Sequence, residues 1–403
     1  MKCRHCKQDT MHPFIDLGYA PPSNNYLAHP DNKELQYPLR VNVCSNCWLV
    51  QTQDTCTASE LFSAEYAYFS STSSSWLAHA KRYVLESIEQ LQLNKQSFVV
   101  EVASNDGYLL KNFVSQQIPC LGIEPTACTA EAAEKKGVPT KRSFFGSNFA
   151  KEVANSADLI IGNNVYAHVP DINDFTHGLK IALKKGGTIT LEFPHLLNLI
   201  QENQFDTIYH EHYSYLSLYS VDRIFSTFGL RIYDVRSIPT HGGSLRVYGC
   251  HEGDPRQTNS TVWNLLKKEA CLQRLQTYQH LQQEAEKIKE ELLTFLHNEK
   301  KMGRKVAAYG AAAKGNTLLN WAGIQADLID YVCDAAPSKQ GKYLPGSHIP
   351  IVAPEQILKE VPDSLIILPW NLKDEIVPFL KEKLGYQNQL VIALPKLRSW
   401  FEK

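Results

Sequence analysis

Between residues 73 and 250 the apolar positions change their period again and again. Trp76, Leu77, Ala80, Tyr83, Val84 and Ile88 fall three or four apart, the spacing of one helix face. Short aliphatic runs then alternate with helix-spaced stretches. The pattern predicts strands over 97–102, 120–123, 159–162 and 188–193, and helices over 107–115, 129–136, 172–183 and 221–228. Such alternation requires a mostly parallel sheet with helices on both faces. Apolar runs at 231–235 and 245–248 flank His241-Gly242-Gly243 and predict an antiparallel hairpin at the end of that sheet.

The segment 264–301 is charged and helix-spaced, and reads as one or two amphipathic helices packed on the body as a spacer. From Arg304 a second α/β unit begins, with strands expected at 305–309, 329–333, 365–368 and 390–394 and a turn and helix over 310–321. Residues 1–70 are turn-rich, carrying Pro13, Pro21, Pro22 and Pro30. Three domains follow, over 1–72, 73–250 and 251–403.

Composition narrows the function class. With 43% hydrophobic and 21% charged residues and a net charge of -1, the chain resembles an ordinary globular protein and has no general attraction to nucleic acid or acidic membrane. No apolar run approaches the roughly 18 residues of a membrane span, and the N-terminus lacks a signal-peptide core. A cytoplasmic location is therefore expected, with the ten cysteines as thiols or metal ligands. Oligomeric state is left open, a monomer included.

Cys3-x-x-Cys6 and Cys44-x-x-Cys47 form two knuckles that can complete a tetrahedral thiolate zinc site. Four protein ligands leave no open position, so such a zinc is structural. The alternative is two unrelated pairs of free thiols. A zinc-ribbon nucleic-acid binder is a different class of reading, but no basic stripe accompanies the knuckles.

Glu101 to Gly107, Glu-Val-Ala-Ser-Asn-Asp-Gly, closes the first strand and opens a helix, where α/β sheets hold ligands. The loop lacks the Gly-x-Gly-x-x-Gly of pyrophosphate binders. Glu101 and Asp106 would repel a phosphate and welcome a cation, which selects S-adenosylmethionine over NAD. Ser104, Asn105 and Gly107 complete the loop, Glu124 stands where a carboxylate takes ribose hydroxyls, and Asn163 ends the next strand. A helix-capping Asp106 in a cofactor-free fold is the plainer alternative.

Tyr209-His210-Glu211-His212-Tyr213 gathers imidazoles, a carboxylate and phenols, which is acid–base chemistry on one short segment. In this order of motifs the chain resembles the S-adenosylmethionine-dependent C-methyltransferases of nucleotide-linked 4-keto-deoxysugars. The resemblance spans the two knuckles, Pro22-Ser23-Asn24, Tyr66-x-Tyr68, the 101–107 loop, Asn163 to His168, Tyr209 to His212, His241 to Arg246, and Tyr309 to Asn316. It implies an α/β chain with an N-terminal zinc-binding domain, a central class I methyltransferase domain of Rossmann type, and a smaller C-terminal Rossmann-like domain. It further implies His212 as general base, with Tyr209, Glu211 and His168 near the sugar and Tyr66 and Tyr68 lining the cleft. Tyr309, Lys314 and Asn316 would belong to a platform for the substrate's nucleotide, its helix N-terminus facing phosphate. His212 would remove the C3 proton beside the ketone, and Tyr209 or His168 would stabilise the enolate oxygen. Rival enzyme readings are methylation at C5, at oxygen or at nitrogen, and an NAD-dependent oxidoreductase on the C-terminal unit.

Overall fold

The computed structural model describes residues 1–55 and 69–401 and carries three sheets among them. In the N-terminal domain β1 (Met11–Ala20) pairs antiparallel with β2 (Tyr37–Cys44), which pairs with β3 (Val50–Thr52). The segment between the knuckles thus forms the hairpin that its length required.

The central sheet holds β4 (Val99–Val102), β5 (Cys120–Ile123), β6 (Thr140–Lys141), β7 (Ala157–Asn163) and β8 (Leu183–Pro194), all parallel. β9 (Ser214–Tyr215) leaves for the N-terminal sheet, where it pairs with β3. β10 (Leu230–Ile238) and β11 (Ser244–His251) then form the expected antiparallel hairpin, with β11 against β8. The order is β10-β11-β8-β7-β4-β5-β6, so the chain reverses direction of travel between β4 and β7. Ligands of such sheets lie beyond the carboxyl ends of the strands at that reversal. β4 and β7 are buried almost throughout, which is why each reads as a near-continuous apolar run.

In the small domain β12 (Val306–Tyr309), β13 (Val332–Cys333), β14 (Ile351–Val352), β15 (Ser364–Ile367) and β16 (Gln389–Ile392) are parallel, and β17 (Arg398–Phe401) closes the edge antiparallel. Its order, β14-β13-β12-β15-β16-β17, reverses between β12 and β15.

The 183–187 stretch, between the helix expected to end at 183 and the strand expected from 188, begins strand β8. Leu183 pairs with Ala157 and Thr188 with Leu159, so 184–187 bulge out of register around Gly186, whose φ is +80°. The spacer is three pieces: helix Ser260–Lys268, short 3-10 turns, and helix His280–Lys301.

The cores cross the boundaries expected at 72 and 251. One cluster joins Phe14, Leu39 and Val41 of the N-terminal sheet to Leu281, Ile288 and Leu292 of the spacer helix and to Leu318 and Ile366 of the small domain. A second joins Cys3, Cys44, Cys47 and Leu49 to the central sheet. The knuckles therefore lie against the central domain, while the sheet they tie off packs on the outer one. No described helix is long and apolar enough to cross a membrane.

Candidate active site

The two knuckles fold alike. In each, the residue after the second cysteine is left-handed, Lys7 at φ 61° and Trp48 at φ 60°. Its amide donates to the first cysteine's carbonyl, at 3.0 Å for Lys7 to Cys3 and 2.8 Å for Trp48 to Cys44. The first cysteine's amide donates five residues on, to Gln8 and to Leu49. The four sulfurs all lie within 4.8 Å of one another, with Cys3 and Cys47 at 3.5 Å and Cys6 and Cys44 at 3.6 Å. Zinc–sulfur bonds of about 2.3 Å in a tetrahedron put sulfurs about 3.8 Å apart, so the set fits the ion closely.

From the second knuckle the chain runs straight into β3, and β3 holds the histidine segment. The Thr52 amide donates to the Tyr213 carbonyl at 3.1 Å, and Thr52 Oγ1 donates to the His212 carbonyl at 3.1 Å. Arg4, between the first two cysteines, donates to the Thr52 carbonyl at 3.1 Å and lies over the Tyr213 ring.

At the carboxyl end of β4 the loop turns through left-handed Ala103, Asn105 and Gly107. Gly107 is needed twice over: its φ is +71°, and a Cβ there would stand 3.0 Å from Val138 Cγ2. Glu124 accepts the Asn105 amide and the Thr126 amide, both at 2.9 Å, so it shapes the loop with lone pairs left for a ligand's hydroxyls. Asp106 is already paired: it accepts from Lys136 Nζ at 2.8 Å and from the Ser71 hydroxyl. The charge expected to greet a cation at Asp106 is therefore largely met by the protein. Glu101 takes that part instead. Burial, reinforced by Glu124, Asp106 and Glu192, raises its pKa well above the carboxylate range. A ligand cation would reverse that shift. Glu101 Oε2, Asp106 Oδ1, Ser104 Oγ and both amide atoms of Asn163 are buried without hydrogen-bond partners. Five stranded polar atoms around one crevice fit a polar, cationic, phosphate-free cofactor.

The crevice continues into groups that sequence reasoning did not single out. Glu192, on β8, is fully buried. Burial would raise its pKa, but His79 and Arg246 hold it below the usual carboxylate value. His79 Nε2 lies 3.1 Å from Glu192 Oε2, and Arg246 Nε donates to Glu192 Oε1 at 2.6 Å. Trp76 stacks on His79 with centroids 4.9 Å apart and meets His241 edge-on at 5.4 Å. Asn164 Nδ2 lies 3.2 Å from His241 Nε2. In the sequence this network shows only as the helix-face spacing around Trp76 and as the His241 to Arg246 motif; His79 and Glu192 stand in neither.

Beyond the Asn163–Asn164 end of β7 stand the histidines. His212 Nδ1 is 2.9 Å from the Thr207 carbonyl. A carbonyl only accepts, so Nδ1 carries the proton and Nε2 the lone pair. Burial, then the neighbouring His168, and further His241 and Lys314, hold the imidazole well below its usual pKa, against the Thr207 bond. Tyr209 lies against the ring with centroids 4.0 Å apart, and His168 meets it edge-on at 4.6 Å. Burial lowers His168 to about 4. Glu211 accepts from Asn24 Nδ2 at 2.6 Å. His210 turns away, its Nε2 3.3 Å from the Tyr37 carbonyl.

The small domain closes the far side. Lys314 reaches the seam, where Trp370 Nε1 donates to Asp206 Oδ2 at 2.8 Å. A Cβ on Gly242 would stand 2.6 Å from Trp370 Cη2, so the His241-Gly242-Gly243 turn admits no side chain there. Two platform residues behave differently from the sequence expectation. Asn316 is fully buried, its Nδ2 donating to the Ser23 carbonyl at 2.6 Å, so it clasps the N-terminal domain. Tyr309 lies in the small domain's own core beside Phe379, because β12 turns it onto that face. Tyr66 and Tyr68 fall outside the described residues.

Three family profiles match the chain in order: a zinc binding domain over 3–62, a methyltransferase domain over 76–235, and a C-methyltransferase C-terminal domain over 239–395. The chain is 33% identical to the C-methyltransferase NovU of Streptomyces niveus over 404 residues, covering 98% of this chain and 96% of that protein. Among solved structures, magnesium protoporphyrin IX methyltransferase of Synechocystis PCC 6803 aligns over 43% of this chain and 78% of its own, at 12% identity and a TM-score of 0.34. A SAM-dependent methyltransferase of Archaeoglobus fulgidus aligns over 40% and 71%, at 16% identity and a TM-score of 0.34. Scores that low carry no functional argument. The profiles and the donor sets agree on S-adenosylmethionine in the crevice and structural zinc at the cysteines.

Proposed function

The chain belongs to the C-methyltransferase family, and we propose that it methylates C3 of a nucleotide-linked 4-keto-deoxysugar through an enolate. The observation that carries this reading is the state of His212: neutral, buried, with Nδ1–H tied to the Thr207 carbonyl and Nε2 left as the base.

Carbon becomes nucleophilic only when an adjacent carbonyl can hold negative charge. In the proposed step Nε2 takes the C3 proton, and the Thr207 carbonyl supports the imidazolium that forms. Tyr209 and His168, in ring contact with His212, supply polar groups beside the ketone. Glu101, Ser104 to Gly107, Glu124 and Asn163 would hold S-adenosylmethionine, which would supply an electrophilic methyl group for that carbon. Glu192 is engaged by the Arg246 guanidinium and hydrogen-bonded to His79, so the three brace the crevice wall and leave the proton transfer to His212.

Labelled methyl donor with a panel of 4-keto sugar nucleotides, followed by NMR location of the label, tests the reading. Label on C3 is expected. Label on C5, or turnover of a sugar already reduced at C4, would refute it.

A further inference from the structure

The reversal point of the small domain, between β12 and β15, opens onto the histidine segment, and Lys314 stands in it. Lys314 lies in the first turn of helix Ala313–Ala322. Its Nζ donates to Asn371 Oδ1 at 2.6 Å and sits 4.8 Å from the centroid of Trp370, whose indole donates to Asp206. One turn along, Thr317 Oγ1 donates to the Ile208 carbonyl at 2.8 Å. Residues three apart share a helix face. That face is therefore docked on the turn Asp206–Ile208, whose middle carbonyl anchors the His212 ring. The ammonium is close enough to oppose protonation of both His212 and His241.

A half-buried lysine at such a crevice has two uses: to bind a phosphate already charged, or to receive a charge that forms during reaction. Asp206 separates them. It is fully buried, and its Oδ1 has no hydrogen-bond partner. Burial pushes its pKa up to about 6, while Lys314 and the Trp370 bond work the other way. A carboxylate in that place repels the full charge of a phosphate dianion strongly, and opposes far less the partial charge that forms on a ketone oxygen nearer the ammonium than the carboxylate. The phosphate platform expected at Lys314 therefore has an acidic neighbour that speaks against it.

We propose that Lys314 is a catalytic residue that receives the developing charge of the sugar's C4 oxygen, with Asp206, Asn371 and Trp370 fixing its place. The proposal rests on the ketone reading above. As His212 Nε2 takes the C3 proton, the C–H electron pair becomes the C3–C4 double bond and the carbonyl pair moves onto oxygen. Lys314 donates a hydrogen bond to that oxygen and keeps its proton. As the carbonyl pair returns, C3 would take the methyl group, the donor's S–CH3 bond would break to leave a neutral thioether, and His212 returns the proton to water. A cation beside the base weakens the base, but it acidifies the carbon more when it lies nearer the oxygen than the imidazole.

Hydrogen–deuterium exchange at C3, followed by NMR without methyl donor, tests this on thymidine- and guanosine-diphosphate-linked 4-keto-6-deoxyhexoses. Lys314→Met is expected to slow exchange about 100-fold, the scale of losing one oxyanion donor, with KM and cofactor Kd within about 3-fold of wild type. Lys314→Gln, which keeps a neutral donor, should fall between, and serves if the first variant melts early. A KM raised about tenfold or more with unchanged exchange at saturation would overturn the proposal in favour of a phosphate ligand. Wild-type exchange and methylation with a fully active Lys314→Met would overturn it alone. A wild-type enzyme that neither exchanges nor methylates these sugars would overturn the ketone reading and this proposal together.

Discussion

The cofactor crevice and the histidine seam differ in where their walls come from. The crevice is made by the carboxyl ends of adjacent strands of one sheet, with Glu124 bracing its own loop through two backbone bonds. The seam takes His212 from a segment paired into the N-terminal sheet, His168 from the central domain, and Lys314 and Trp370 from the small domain. A pocket built within one sheet keeps its shape whatever its neighbours do. A seam between three bodies exists only while they are docked. Cofactor binding and turnover should therefore separate cleanly under mutation.

The sharpest separation is expected from His212→Ala. Turnover should fall about 10³-fold, within the range for losing a general base, while calorimetry finds cofactor affinity unchanged. Comparable losses in both would mean that the two regions are one. Zinc removal comes next. Chelation, or Cys44→Ser, releases β3 and with it the Thr52 contacts to His212 and Tyr213. Turnover should drop by about two orders of magnitude and the melting curve should gain an early transition, since structural zinc supplies folding free energy directly. Cofactor titration of the same sample should change little. A smaller effect, of opposite kind, is expected at Asn163. Its buried amide has no partner without ligand, so Asn163→Ala should weaken the cofactor about tenfold and leave the melting temperature unchanged or higher, because an unsatisfied buried amide costs about 1–3 kcal/mol. A lowered melting temperature would show that the amide supports the fold instead.

The least effect is a slope with pH. His168 and His241 are held at about 4 by burial, and His212 lies well below its usual value. Between about pH 6.5 and 4 the unfolded chain therefore binds protons that the folded chain refuses, so stability rises with pH across that window and falls on acidification. Melting temperatures at pH 7, 6 and 5 should decline in that order. The acid limb of kcat/KM, if His212 alone set it, should lie below pH 6.5.

Legibility in the sequence followed the range of the interactions. Cys120–Ile123 coincides with its predicted strand, because a buried parallel strand is a short apolar run between breaks. The two-residue strands β6, β9 and β14 have no period to read, and of the strand expected at 329–333 only Val332–Cys333 pairs. The histidine cluster was visible as composition, whereas its membership in the zinc domain's sheet depends on a pairing between Val50 and Tyr215. Asp106 showed its sign but not its partner, Lys136, thirty residues along. The His79–Glu192–Arg246 network was hidden for the same reason: its members come from a helix and two strands that only the fold assembles.

The carbonyl of Thr207 also gives the enzyme a built-in reporter. A ring N–H that is buried and held by a backbone oxygen exchanges slowly with solvent, so His212 should show its own resolved imidazole proton resonance in water. Selective 15N labelling of histidine would let that signal follow the nitrogen through substrate binding, without a chromophore or a coupled assay.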